Sequence, residues 1–416
     1  MMKKPQTDVL WTGLIILAAS LTLSGFVPDI IGYTLVAFVY LAFVGVFIAT
    51  DRFAIVYHWT IIPMVLLIWG VFVLTTMLDP TTAGMLRLGA FTVITGINLF
   101  VVPAVINRAV FHDVLACTAG AFVLIGLPTV LLGSYEIAGL TITSWDTTQT
   151  LAGVVLHTPV SIFDNPNYLS GFAAIGVVAS GAMFVRSRRL LAVGAFGLNT
   201  LGVVLAGGRA ALLALVAAGG LYIVYRLFGR TAMAGLVAFG AFGVVIGFAM
   251  VFAIIPGPDV IAQVNLGDRR ATWSAAYEAV RSRPLLGWGP GNDAELLAGY
   301  LHNSVDVTTT HNSYIRMFLI SGVLGGGAYL VLTINTLVIG IRNARSETVF
   351  TILLLVAFLI LQLFAGMTIF GLSLLSMLGA LFVGYVQSSA PASKIVNVTE
   401  ARRRIVGYAR NGLGVN

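Results

Sequence analysis

Four short stretches gather side chains and turns suited to an anionic ligand. They are Phe163-Asp164-Asn165-Pro166-Asn167-Tyr168, Gly207-Gly208-Arg209, Gly267-Asp268-Arg269-Arg270 and Thr310-His311-Asn312-Ser313. Arginine offers a planar, two-pronged donor set that matches phosphate oxygens. Glycines ahead of Arg209 allow the backbone to approach a ligand closely. Each stretch opens a helical run, and a helix N-terminus presents free N–H groups and the positive end of its dipole to an anion. Within the last stretch, His311 has two readings. It caps a helix or binds interfacial water, or, held neutral near a helix N-terminus, it serves as a general base near neutral pH. With Arg209 and Arg269 expected on the same face, the base reading is the one carried forward.

The other polar residues carry less. His58 and His112 read as interfacial, and His157 and His302 fall in polar loops; no histidine pair has the spacing of a helical metal motif. The carboxylates Asp268, Asp293, Glu295 and Asp306 are scattered and read as solvated. Gly287-Trp288-Gly289-Pro290-Gly291 is a tight turn without the Lys-Ser or Lys-Thr of a nucleotide loop. Asn165-Pro166-Asn167 serves equally well as an Asx turn with a helix cap. Arg87 and Arg316 border apolar runs. Arg87 reads as snorkelling to headgroups, and Arg316, about a turn below His311, extends the cluster inward.

The elements that must hold these residues are membrane helices. Of 416 residues, 58% are hydrophobic and 9% charged, against roughly 25% charged in soluble domains, which excludes a soluble enzyme. The 25 Phe, 13 Tyr and 6 Trp exclude disorder, and the single Cys117 excludes an intramolecular disulfide. Apolar runs long enough to cross a bilayer fall at 9–27, 30–49, 54–77, 84–106, 110–132, 168–185, 190–206, 210–226, 231–255, 313–340, 348–366 and 368–387. The first, behind Lys3 and Lys4, is read as a span rather than a signal peptide because more spans follow it and no clear cleavage site appears.

Twelve spans put both termini on one side, and charge chooses the side. All 23 Lys and Arg except Arg87, Arg209, Arg269, Arg270, Arg281, Arg283 and Arg316 fall on the N-terminal side. Positive loops stay cytoplasmic, so both termini are expected there and the four stretches outside. The net charge of +7 is then topology and attraction to membrane lipids, not a nucleic-acid footprint. The expected fold is all-α: a polytopic bundle over 1–387 with about twelve transmembrane helices and a basic cytoplasmic tail at 388–416. An outer loop at 256–312, between spans 9 and 10, carries a short amphipathic helix from Arg269 to Arg283. Its apolar face is expected to be Trp273, Ala276, Tyr277 and Val280, with Pro284 as its stop. A second long outer connection runs from Gly133 to Asn167.

In order, Phe163-Asp164-Asn165-Pro166-Asn167, Gly207-Gly208-Arg209-Ala210-Ala211, Arg269 with Trp273, Pro284-Leu285-Leu286-Gly287-Trp288-Gly289-Pro290-Gly291, His311-Asn312-Ser313 and Ser321-Gly322-Val323-Leu324-Gly325-Gly326 resemble the O-antigen ligase and O-antigen polymerase family of membrane glycosyltransferases. The likeness covers about 160–330. It implies metal-independent, cofactor-free transfer of a glycan from a polyprenyl-diphosphate donor to a lipid, glycan or protein acceptor hydroxyl. The site would face outward from the plasma (inner) membrane, on the periplasmic side. Carried over by position, His311 would be the base, and Arg209, Arg269 and Arg270 would hold the diphosphate. Asn167, Asn312 and Arg316 would support them. The family often has Ser where this chain has Gly208, which removes one hydroxyl donor but no charge.

Rival functions make distinct demands. A lipid-linked glycan flippase would string polar residues through the membrane depth, whereas here they crowd one face. A peptidoglycan-type polymerase would rest on an outer carboxylate. A scaffold would tolerate loss of Arg209, Arg269 and His311 together. Ligase and polymerase within the resembled family differ in acceptor, which depends on cavity shape; the compact 256–312 loop inclines the reading toward a ligase.

Overall fold

The computed structural model describes residues 5–137, 139–151, 153–187, 189–252, 254–258, 269–291, 293–301 and 309–398. Asp268, His302 and Asp306 lie outside them, as do Lys3, Lys4, Arg188 and the tail beyond Val398. The described chain is a mostly helical, polytopic membrane protein. Its helices are α1 (Pro5–Leu21), α2 (Asp29–Ala49), α3 (Ile62–Leu78), α4 (Thr82–Val105), α5 (Arg108–Leu132), α6 (Pro166–Ser187) and α7 (Leu190–Ala206). There follow α8 (Arg209–Val251), α9 (Arg269–Ser282), α10 (Asp293–Ala298), α11 (Ser313–Arg342), α12 (Val349–Gln362) and α13 (Leu374–Ser388). Among the described residues α2, α4, α5, α6, α8 and α11 are long and apolar enough to cross a membrane, and five shorter helices are equally apolar.

Helix fills the middle of every expected apolar run, but the ends differ. The run at 54–77 opens as a strand, β1 (Ala54–Tyr57), and turns helical at Ile62 with Pro63 in the first turn, where its missing N–H costs nothing. The runs at 210–226 and 231–255 are two limbs of α8, hinged at Gly229 (φ 80°, ψ −173°). Nearly every residue of α12 and α13 is buried, the mark of helices at the centre of a bundle. Pro103 lacks the N–H that would bond Leu99, and the Gln387 side-chain amide donates to that carbonyl instead. Gly384 lets the two helices meet there, since a Cβ would lie 2.6 Å from Pro103.

The all-α expectation needs correcting in the Gly133–Asn167 connection. It folds as an antiparallel sheet of β2 (Ser134–Ile137), β3 (Leu140–Leu151) and β4 (Val154–Pro159), packed on α5. The Thr-rich β3 sequence favours strand, and Gly139 and Gly153 give its two turns their positive φ (79° and 80°). At the opposite end of the bundle the tail begins as β5 (Lys394–Asn397), paired with β1.

The 256–312 region is joined to α11 by a backbone splice. Two bonds that would close α11 across Gly322 (φ 59°) are missing, and four others replace them. Trp288 and Gly289 N–H donate to the Leu319 and Ile320 carbonyls at 3.1 and 2.9 Å. Val323 and Leu324 N–H donate to the Pro284 and Leu285 carbonyls at 2.8 and 3.3 Å. Only glycine fits the contact: a Cβ on Gly322 would lie 2.3 Å from the Leu285 carbonyl, and one on Gly287 2.5 Å from the Gly322 nitrogen.

Candidate functional site

Three of the four stretches converge at the splice end of the bundle, where the loop packs. Gly207, in the left-handed region at φ 66°, ends α7, and Gly208 caps α8, so that Arg209 is its first residue. Gly208 lies against α6: a Cβ there would be 2.0 Å from Ser170 Oγ and 2.7 Å from Ser170 Cβ. Ser170, which the sequence reading passed over, therefore sets how closely Arg209 approaches α6. It stands one turn beyond Asn167, whose carbonyl accepts its hydroxyl at 3.2 Å. Asn167 itself is exposed. The Asx-turn reading of this stretch describes its geometry, since Asn167 N–H donates to Asn165 Oδ1 at 2.8 Å.

Arg269 opens α9. Burial, and then the nearby Arg209 guanidinium, lower its pKa; Arg269 is half-buried and Arg209 exposed. Arg270 is exposed. The arginine turned toward the cluster is thus Arg269. The helix around it has a different buried face from the expected one: Thr272, Trp273, Ala275, Ala276 and Ala279 are buried, and Tyr277 is exposed. Small residues bring α9 close against α11, with Leu297 of α10 and Leu319 completing a separate small core.

Trp273 ties α9 to the histidine. Its Nε1 donates to the Thr310 carbonyl at 2.8 Å, and Thr310 Oγ1 donates to the Asn312 carbonyl at 3.0 Å. Between them His311 sits in the left-handed region at φ 49°, a conformation uncommon outside glycine and costing about 1–2 kcal/mol. Such strain persists only where surrounding bonds over-determine it. Here they do. The Asn312 side chain caps α11 by accepting from Tyr314 and Ile315 N–H, and its Nδ2 donates to the Leu363 carbonyl at 3.1 Å. Ser313 Oγ donates to the Ala365 carbonyl at 2.7 Å. Burial and then Arg269 hold the His311 pKa below the ordinary histidine value. Arg269 is thus electrostatically coupled to both Arg209 and His311.

Arg316 does not extend the cluster as a free cation. Its Nε lies 2.6 Å from Asp293 Oδ2, and Nη1 donates to the Gly366 carbonyl at 2.7 Å. Asp293, expected to be solvated, is buried in this pair. Arg87, expected to snorkel, donates to the Gly291 carbonyl. Arg283 lies over the Trp288 ring at 4.0 Å and 3.8 Å from Asp79. The loop is thus bound to three helices by cations, two of which, Arg87 and Arg316, the sequence reading gives other roles. His112, expected to be interfacial, is buried and bonds Thr351 at 3.3 Å, and His58 is buried beside Thr60. Among the described residues no group of three His, Cys, Asp or Glu could hold a metal ion.

Residues 194–330 match the protein-family model Wzy_C, O-Antigen ligase. These residues are an O-antigen ligase domain. No curated protein matches the chain. The ligase domain runs from α7 into α11 and so contains Arg209, Arg269, His311 and the whole splice, while Ser170 and Asn167 come from outside it. The protein is accordingly a glycan-transferring membrane enzyme of the ligase or polymerase type, and the family matched by residues 194–330 implies lipid-linked glycan substrates.

Proposed function

We propose that the protein moves a glycan from a polyprenyl-diphosphate donor to an acceptor hydroxyl on the outer face of the plasma membrane. The observation that supports it is that Trp273, one turn along α9 from Arg269, bonds the Thr310 carbonyl beside His311 at 2.8 Å, while Arg209 opens α8 near enough to lower the Arg269 pKa. It matches a reaction in which negative charge grows on a leaving diphosphate while a proton leaves the acceptor. The acceptor O–H gives its proton to the His311 imidazole, and the acceptor oxygen forms a bond to the anomeric carbon. The bond from that carbon to the phosphate oxygen breaks on the opposite side, which inverts configuration. The electron pair leaves with the diphosphate, held by Arg209 and Arg269. Arg270 contributes long-range attraction from the surface. No nucleotide is needed, because the lipid-linked donor already holds the transfer energy, and the family resemblance implies that no metal takes part.

Topology supports this siting. With α8 counted as two limbs, the apolar helices make twelve crossings and both termini are cytoplasmic by the positive-inside rule. The ligase reading is preferred to the polymerase reading because the described part of the loop, 269–291 and 293–301, packs together against α11.

The test is transfer by purified protein from a polyprenyl-diphosphate glycan with EDTA present, native against His311→Ala. Transfer that survives the chelator and falls about 10²–10⁴-fold in the variant fits loss of a general base, and product size separates ligation from polymerisation. Full activity in His311→Ala overturns the assignment and turns attention to the carboxylates of the loop.

A further inference from the structure

The two limbs of α8 are packed in opposite ways. The first buries Ala211, Ala214, Ala218 and Leu221 along one face, against α6 and α12. The second, from Arg230 onward, buries Met233 alone. Its outer end nevertheless closes on a side chain of the site. Phe248, in the last turn of α8, and Phe252, just past its end, are one turn apart and so share a face. Both lie against the ring of Trp273 on α9, with centroids 5.6 and 5.8 Å away and planes tilted by 33° and 34°. Their own rings are 6.4 Å apart and within 20° of parallel. All three separations fall in the range of attractive aromatic pairs, and Trp273 is buried.

This stack decides where the indole N–H points. An indole turns about two side-chain bonds, and each turn swings Nε1. Against the two Phe rings the indole keeps one tilt, and in that tilt Nε1 meets the Thr310 carbonyl at 2.8 Å. The Thr310 carbonyl and the His311 nitrogen belong to one rigid peptide plane, and rotation of that plane about the His311 N–Cα bond is φ itself. A bond to the carbonyl therefore sets φ. The value is 49°, which persists only where neighbours enforce it. Asn312 and Ser313 fix the far side of His311 through the Leu363 and Ala365 carbonyls, and Trp273 fixes the near side. We infer that Phe248 and Phe252 are positioning residues for the base: they hold Trp273, and Trp273 holds the peptide plane that aims His311. This rests on the reading of His311 as the base. The two ends of α8 then serve the two halves of the reaction, with Arg209 at the leaving group and the Phe pair behind the base.

The experiment uses the full chain in liposomes. Phe248→Leu with Phe252→Leu keeps the limb apolar and removes the stack; Trp273→Phe keeps a ring and removes the N–H. Each should lower kcat about tenfold or more for transfer from a polyprenyl-diphosphate glycan, with donor KM within about twofold, since a group misplaced by about 1 Å costs up to about 10²-fold. The triple variant should fall no further than the weaker of the two, because both act through one bond. Phe248→Tyr with Phe252→Tyr rebuilds the stack and should recover kcat. Diethyl pyrocarbonate, which modifies neutral imidazoles, reads His311 without any transfer. Followed by mass spectrometry, His311 should react several times faster in the Leu pair than in the native protein, and at the native rate in the Tyr pair. Native kcat with a native modification rate in the Leu pair overturns the inference. So does a raised donor KM at unchanged kcat, an additive triple variant, or a Tyr pair as impaired as the Leu pair. Should the Leu pair unfold early, Trp273→Phe decides: native kcat and a native modification rate there are equally fatal. If the native protein transfers no glycan, the base reading fails by itself, and the modification rate still decides whether the stack holds His311.

Discussion

At the scale of single residues, His311 is shaped by its neighbours more than by its own chemistry. It is strained at φ 49° and pinned between Thr310 and Asn312. Burial and then Arg269 lower its pKa below the ordinary value of 6.5. The working form of a base is neutral, and a lowered pKa keeps it neutral further into acid. The pH profile of kcat should therefore be flat through neutrality, with an acid limb centred below 6.5, the value from which the shift starts. Arg269→Gln removes a positive neighbour, so its residual transfer should show the limb displaced upward. A native limb centred above 6.5, or no displacement in the variant, contradicts the coupling. The sequence made His311 and the two arginines legible as types at helix starts. It gave no sign of the backbone strain, which is written by Trp273, Asn312 and Ser313 from three separate directions.

At the scale of elements, the decisive contact is between the starts of α6 and α8. A Cβ on Gly208 would fall 2.0 Å from Ser170 Oγ, so this glycine is a spacing device, and the reading of it as a lost hydroxyl donor is incomplete. A hydroxyl stands at that spot, supplied by α6. Gly208→Ala should cost about 1–3 kcal/mol by overpacking and lower transfer by shifting Arg209. Adding Ser170→Gly should recover most of both. Thermal unfolding in detergent and the transfer rate together check this, and a double variant no better than the single one rejects the spacing role. Stretches near 165 and 208 were each visible as helix starts. Their mutual contact was not, because a gap of some forty residues holds no record of which helices become neighbours. The same limit hid the β2-β3-β4 sheet: a search tuned to twenty-residue apolar runs passes over strands of 4, 12 and 6 residues.

At the scale of the whole molecule, one loop is held by residues that sequence reasoning spread over three roles. Arg87 was assigned to headgroups, Asp293 to solvent and Arg316 to the ligand; in the fold each fastens the loop to the bundle. Apolar periodicity shows where helices lie, but a charge inside an apolar run names no partner. Removing one member of a buried pair leaves the other uncompensated. Asp293→Ala should therefore destabilise by about 3 kcal/mol, the lower end for such pairs because Arg316 keeps some exposure. Arg316→Met in the same chain should restore part of that loss, as followed by thermal unfolding; an additive double variant denies the pairing. The order of the apolar runs was legible throughout, since span length and composition are local properties. Which limb of α8 packs and which stands clear was not, because both are equally apolar.

The splice at Gly322 also bears on how the chain is made. Synthesis runs from the N-terminus, so Pro284–Gly289 is complete before α11 leaves the ribosome. Without that segment, the carbonyls of Leu319 and Ile320 and the N–H groups of Val323 and Leu324 either bond each other as in an unbroken helix or, where Gly322 already turns, stay unbonded at several kcal/mol each in lipid. Docking of the loop exchanges those two bonds for four. Breaking of α11 at Gly322 and seating of the loop are therefore one cooperative event, and the strand of chain that splices the helix is always the one made first.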